Sequence, residues 1–233
     1  MGFRKKDESI VGGFGDAVWE RQGGGDTIST RAYATLICFW TALGIGASAV
    51  AATISLHWAF SWMLVILPFI ASIVGTIIAL KSDNPVVSLF GYALVVIPFG
   101  LMLGPVVNLY TVASVAKVLF ITTGMVVGLG VVGAVYPKSL ESWGSWLMGA
   151  LLVLILGSCA TMIAGAFGVN IRGAMTVWDW VGVAVFSALV IFDLNRAMRL
   201  PKTVDNSVDS ALAIYLDFVN IFIRLLSIMG KKK

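Results

Sequence analysis

Apolar runs of about twenty residues, separated by short polar links, recur along this chain from Tyr33 to Met229. A run of that length, coiled as an α-helix rising about 1.5 Å per residue, matches the hydrocarbon thickness of a bilayer. Lipid cannot hydrogen-bond a backbone, so each segment must satisfy its own N–H and C=O groups, as a helix does. The fold class that follows is an all-α polytopic membrane protein. Composition points the same way: 59% of the 233 residues are apolar, 12% are charged, and the mean hydropathy is +0.95. The charged share is about half that of an ordinary soluble domain. The net charge of +4 is no nucleic-acid signal, because the basic residues sit in tails and links, where they set topology.

Seven spans are expected: Tyr33–Thr53, Trp58–Leu80, Val86–Leu109, Ser114–Val135, Trp146–Phe167, Val177–Ala197 and about Asp209–Met229. They make one bundle over residues 32–230, with a flexible mixed-charge tail over 1–31 and a basic tail over 231–233. The N-terminal tail lacks the apolar core of a signal peptide, and a short amphipathic piece at Phe14–Trp19 would lie on the membrane surface. Trp58, Trp62, Trp143 and Trp146 suit the interfacial belt. Asp179, between Trp178 and Trp180 at the entry to the sixth span, is expected to be interfacial and solvated. With the N-terminus inside, the inner segments carry Arg4, Lys5, Lys6, Arg21, Arg31, Lys81, Lys138, Arg196, Arg199 and Lys202, against Lys117 and Arg172 outside. Lys231–Lys233 cut against a seventh full crossing, so the last helix either crosses despite them or re-enters.

The last two spans carry the chemistry. The sixth ends in Ile191-Phe192-Asp193-Leu194-Asn195-Arg196, and the seventh carries Tyr215-Leu216-Asp217-Phe218-Val219-Asn220. An acidic side chain at membrane depth costs several kcal/mol and marks a functional site by default. The helices are antiparallel, and counting residues from their shared end lets the two carboxyls meet. Two carboxyls in contact cannot both ionise cheaply; they share a proton and titrate as a coupled pair. Ser210, Ala213, Asp217, Asn220, Arg224 and Ser227 recur at spacings of three and four, so one face of the last helix is a polar seam and the helix belongs at the bundle centre. The competing reading is that Asp217, Asn220 and Arg224 only hold helices together.

Other signals are weaker. Pro98, Gly100, Gly104 and Pro105 predict a kinked third helix, lining a cavity if not merely bent. Gly128 to Gly133 fits the dinucleotide pattern G-x-G-x-x-G but lies inside an apolar span with no strand before it; Gly124 and Gly128 read better as a close helix contact. Cys38 and Cys159 are packing residues rather than a disulfide or a metal set, and His57, the only histidine, is a solvated interfacial residue. No nucleophile–base set, resident cofactor or phosphate loop is visible, so an enzyme is not expected. An intramembrane aspartyl protease would want a Gly-x-Gly-Asp motif, which Asp217 lacks.

The run from Phe192-Asp193-Leu194-Asn195 through Tyr215-Leu216-Asp217-Phe218-Val219-Asn220 to Leu225-Leu226-Ser227-Ile228-Met229-Gly230 resembles the C-terminal signature of the Bax inhibitor-1 (transmembrane Bax-inhibitor-motif) family. Phe90-Gly91-Tyr92 and Phe99-Gly100-Leu101-Met102-Leu103-Gly104-Pro105 look like the third span of bacterial, YccA-like members. The resemblance implies a seven-helix bundle with the last helix central, and a pH-sensitive calcium leak in which Asp193 and Asp217 are the sensor and transient Ca²⁺ contacts. YccA-like relatives instead modulate a membrane protease of the FtsH type. Leak-type members hold the aspartates closed with a basic residue on the second helix. Here that span has no Arg and only Lys81 at its edge, which leaves Arg224 as a substitute, with Asn220 and Ser227 as seam partners.

Two functions from different classes follow. One is a passive cation conduit: protonation of the pair disfavours cations, and deprotonation offers oxygen ligands to a hard cation such as Ca²⁺. The other is a non-conducting regulator whose N-terminal tail engages a membrane protease or another assembly. The bilayer is the one constant partner, and the bacterial look of the third span favours an inner membrane with the N-terminus cytoplasmic.

Overall fold

A computed structural model of the protein describes residues 27–59, 61 and 63–233. They form seven helices: α1 (Thr30–Ser55), α2 (Met63–Lys81), α3 (Pro85–Asn108), α4 (Val112–Val135), α5 (Glu141–Ala166), α6 (Arg172–Ala197) and α7 (Val204–Met229). All but α2 are long and apolar enough to cross a membrane. The expected amphipathic piece at Phe14–Trp19, and Trp62, lie outside the described residues.

Local chemistry explains the helix ends. Ser29 Oγ accepts from Ala32 N at the start of α1, Asn84 Oδ1 from Val86 N at α3, and Thr203 Oγ1 from Asn206 N at α7. Each satisfies an amide that the helix leaves without a partner. α3 also begins on Pro85, whose missing N–H costs nothing there. α5 ends at Gly168, the one residue with a left-handed backbone (φ 84°) among those described. Its N–H bonds Gly165 O, and Val169 N bonds Ala164 O, the paired closure that a C-terminal glycine allows. Capping by Thr203 starts α7 at Val204, five residues before the expected Asp209. α5 and α6 likewise begin five residues early.

The helices form two groups of three around the last one. α3 packs on α1 and α2, and α6 packs on α4 and α5. α7 touches α1, α2, α3, α4 and α6, and most of its residues are buried. The outer helices instead expose large apolar side chains, such as Phe69, Phe120, Trp146 and Phe167. In water such a surface would drive aggregation; against lipid it is the solvated face. α1 holds α7 by hydroxyls: Tyr33 Oη meets Ser210 Oγ, and Ser48 Oγ meets Tyr215 Oη.

Glycines set how closely helices approach. A Cβ on Gly100 would lie 2.6 Å from Ser48 O, and one on Gly104 would strike Ser55 Oγ, so these two seat α3 on α1. They are packing contacts rather than cavity lining, and Pro98 and Pro105 sit within a helix that continues past both. Gly91 and Gly75 do the same between α3 and α2. The expected contact at Gly124 and Gly128 is absent, because both face open space. Gly130 and Gly133, rotated to the other side of α4, meet Leu194 and Ile191 of α6 instead.

The links show how the last helix ends. Ile28 N donates to Lys202 O at 2.8 Å, tying the start of α1 to the α6–α7 link. At the far end Thr111 N donates to Lys231 O and Lys233 N to Leu109 O, so the basic tail pairs with the α3–α4 link. α7 therefore runs the full length of the bundle, and Lys231–Lys233 lie at the face opposite Ile28. A buried amide fixes the α4–α5 link: Asn195 Nδ2 donates to Gly133 O, Tyr136 O and Lys138 O, and Oδ1 accepts from Leu140 N at 3.1 Å.

Two predictions follow from this packing. Gly133→Val should cost about 1–3 kcal/mol by overpacking against α6, while Gly128→Val should leave the thermal midpoint of the detergent-purified protein unchanged. Asn195→Ala should cost about 2 kcal/mol or more, because it strands buried groups of the α4–α5 link; a midpoint within error of the wild type would contradict the clamp.

Candidate functional site

α6 and α7 run antiparallel against each other, and two polar loci lie along their contact. The first joins Asp193, one turn before the end of α6, to Asp217, about 13 residues into α7. The two carboxyls are in hydrogen-bonding contact. Asp217 is buried and its Oδ2 has no donor among the described residues, while Asp193 is half-buried. α7 starts earlier than expected, so Asp217 lies roughly 20 Å from the helix start, deeper than residue counting gave. The pair still forms because α7 begins beyond the end of α6.

The cation beside the pair is Arg196, which attracts Asp193 from one turn further along α6 and also faces Glu141 at the start of α5. The sequence reading gives Arg196 a part in topology and none at the pair. Its spacing of three from Asp193, which puts both on one helix face, was the available signal. A further buried acid went unremarked: Asp205, in the first turn of α7, accepts from Ser88 Oγ at 2.6 Å. A carboxylate there is favoured by the helix N-terminus.

The second locus holds the seam residues beyond Asp217, namely Asn220, Arg224 and Ser227. Arg224 does not reach Asp193 or Asp217. It extends across α6 to Asp179, 3.6 Å from Nη1 to Oδ1, and Nη1 donates to Trp178 O at 3.1 Å. Asp179 is therefore an ion-paired residue with only 14% of its side chain exposed, not a solvated one. The reason lies in α6: a Cβ on Gly182 would collide with the Arg224 side chain, so the missing side chain opens the route. Ser227 Oγ donates to Asp179 Oδ2 at 2.6 Å. Asn220 turns back to Leu216 O of its own helix at 2.8 Å. Burial pushes the Tyr110 phenol up and the nearby Asp179 carboxylate adds to the shift, so the α3–α4 link also reaches this end. A half-open groove of about 200 Å³ lies here between α5, α6 and α7, lined by the apolar Met162, Met175 and Ile223 and by Ser158, Asp179, Asn220 and Arg224. Lys81 stands exposed in the last turn of α2. Cys38 and Cys159 are free and exposed.

Comparison with known proteins agrees with this layout. The family model described as inhibitor of apoptosis-promoting Bax1 matches residues 26–233. The inner membrane protein YbhL of Escherichia coli K12 is 29% identical over 143 residues, which cover 58% of this chain and 59% of YbhL. A protein of Caulobacter vibrioides is 29% identical over 164 residues (65% of this chain, 62% of the relative), and one of Helicobacter pylori J99 is 32% identical over 132 (55% and 53%). The matched region thus spans about three fifths of YbhL's length. With the match running from α1 to the last residue, the chain is a multi-pass membrane protein and a member of the Bax inhibitor-1 family.

Proposed function

We propose that the protein is a pH-sensitive cation leak, with calcium as the cation, gated by the Asp193–Asp217 pair. The observation that carries this reading is the contact between two carboxyls on the central helix pair of a membrane bundle. A contact used only to hold helices together would be better made by one carboxyl and one neutral donor, because two carboxylates repel. A pair that shares one proton is a two-state element: the proton bridges α6 and α7, and its loss replaces a bond with repulsion. The deprotonated state separates the helices and presents carboxylate oxygens, the ligands that Ca²⁺ takes. Arg196 biases the equilibrium by attracting the anionic form, and Glu141 draws on the same guanidinium. The sign is therefore set: flux is low in acid and rises as the pair loses its proton.

The same reading places the chain in a bacterial inner membrane with its N-terminal tail in the cytoplasm. It draws support from the name of YbhL and from Arg31, Lys81, Lys138, Arg199 and Lys202 in the links expected on the face of Ile28. Modulation of a membrane protease of the FtsH type is the runner-up, and it takes over if the bundle does not conduct.

Calcium flux into liposomes holding the purified protein, measured from about pH 6 to about pH 8, where buried carboxyls commonly exchange protons, tests the proposal. The wild type should conduct more at the alkaline end, by about tenfold per unit where one proton controls opening. Asp193→Asn and Asp217→Asn should each remove that dependence. Arg196→Gln, which strips the anionic pair of its neighbouring cation, should move the midpoint of the flux curve to higher pH. Flux equal to that of empty liposomes throughout would transfer the assignment to the regulator.

A further inference from the structure

The locus around Arg224 is not used by this mechanism, yet it has the ingredients of an ion site. A guanidinium is a permanent cation that only donates hydrogen bonds. What surrounds it is an oxygen set: the Asp179 carboxylate at 3.6 Å and the Trp178 carbonyl at 3.1 Å, with Ser227 Oγ bonded to the other Asp179 oxygen. Remove the guanidinium and a carboxylate, a carbonyl and a hydroxyl remain, which are the ligand types of a hard divalent cation. The neighbouring groove of about 200 Å³, lined by Met162, Met175 and Ile223 as well as Ser158 and Asn220, gives the Arg224 side chain a place to move into.

The guanidinium is also imperfectly held in this seat. Its Nε–H is buried against Gly182 with no hydrogen-bond partner among the described residues. Its Cζ lies 5.7 Å over the centre of the Phe186 ring, a cation–π contact that does not satisfy the Nε donor. A buried donor left unpaired favours any state that lets it out. The carboxylate contributes one acidic residue only, and no group of three His, Cys, Asp or Glu side chains capable of holding a metal occurs among the described residues. Such a site binds weakly, as a station on a pathway must.

We propose that Asp179, the Trp178 carbonyl and Ser227 form a second cation site of the pathway, at the end of α6–α7 away from Asp193 and Asp217, and that Arg224 is its tethered blocking cation. The inference rests on the leak reading for its role in transport, while the site itself is testable without flux. Arg224 swinging into the adjoining groove frees the oxygen set; its return expels the ion. The two loci then act in series along one helix contact, one controlled by a proton and the other by a built-in positive charge.

Terbium, a hard trivalent probe for calcium sites whose emission is sensitised by a nearby indole, reads the site directly because Trp178 adjoins Asp179. The experiment titrates terbium into the full chain in detergent and repeats the calcium flux assay at fixed pH. Arg224→Gln should bind terbium at least tenfold more tightly than the wild type, and adding Asp179→Asn should abolish that gain. Arg224→Met, which keeps an unbranched apolar stem without the charge, should show the same gain and serves if the Gln variant does not fold. Arg224→Lys retains the blocking charge and should bind no more terbium than the wild type. In liposomes Arg224→Gln should raise flux severalfold while leaving its pH dependence in place. No gain on losing the Arg224 charge, a gain that survives Asp179→Asn, or an equal gain in Arg224→Lys would overturn the proposal. A wild type and variants that bind terbium as expected but pass no calcium would sink the leak reading and leave the site standing.

Discussion

Two carboxyls held against each other inside a membrane bundle form the contact on which the rest of this architecture turns. Neither Asp193 nor Asp217 can face lipid, so both must point into protein, and that requirement draws α6 and α7 together along their length. Once α7 carries a polar seam it needs protein on nearly every side, and five other helices supply it. The centrality of α7 is thus a consequence of its polar residues. Its burial in turn lets Tyr215, Ser210 and Asp217 make bonds that lipid could not offer.

The two groups of three helices play different parts around this axis. α3 is locked to α1 and α2 through Gly75, Gly91, Gly100 and Gly104, where backbones approach too closely for any side chain. The α4–α6 contact has Gly133 and the Asn195 clamp, both near the C-terminal end of α6. Toward the other end the α6–α7 contact becomes ionic, through Arg224 and Asp179, and borders a groove. One half is thus held by close backbone contacts along its length, and the other is fastened at one end and polar at the other.

Much of this was legible in the chain itself. Seven apolar runs gave seven helices, and the three-and-four spacing of Ser210, Asp217, Asn220 and Arg224 located the seam. The meeting of Asp193 and Asp217 followed from antiparallel counting even though α7 begins five residues early. The failures share a cause. Gly124 and Gly128 carry the small-residue spacing of a helix contact as well as Gly130 and Gly133 do, but which side of α4 meets α6 depends on the helix's rotation, which spacing alone does not contain. Asp179 beside two tryptophans looks solvated, but Gly182 opens a path for Arg224 from the next helix to pair with it. Arg224 is expected at the carboxyl pair as a substitute for a basic residue that the second span lacks, yet seven residues separate it from Asp217, about 10 Å along the helix. Hydrogen-bonded links such as the Lys231–Lys233 pairing leave no periodic trace at all.

The account stands on the proximity of the two carboxyls, and cysteine cross-linking in native membranes measures it most directly. In a chain carrying Cys38→Ser and Cys159→Ser, the double variant Asp193→Cys with Asp217→Cys should be bridged almost completely by a short thiol-reactive cross-linker, because carboxyls in contact place their Cβ atoms within about 7 Å, too far apart for a direct disulfide. The control, Asp193→Cys with Ser210→Cys, displaces one thiol about 10 Å along α7 and should not cross-link. Equal trapping in the two pairs, or none in the first, would mean that Asp193 and Asp217 do not form the unit on which the proposed gating depends.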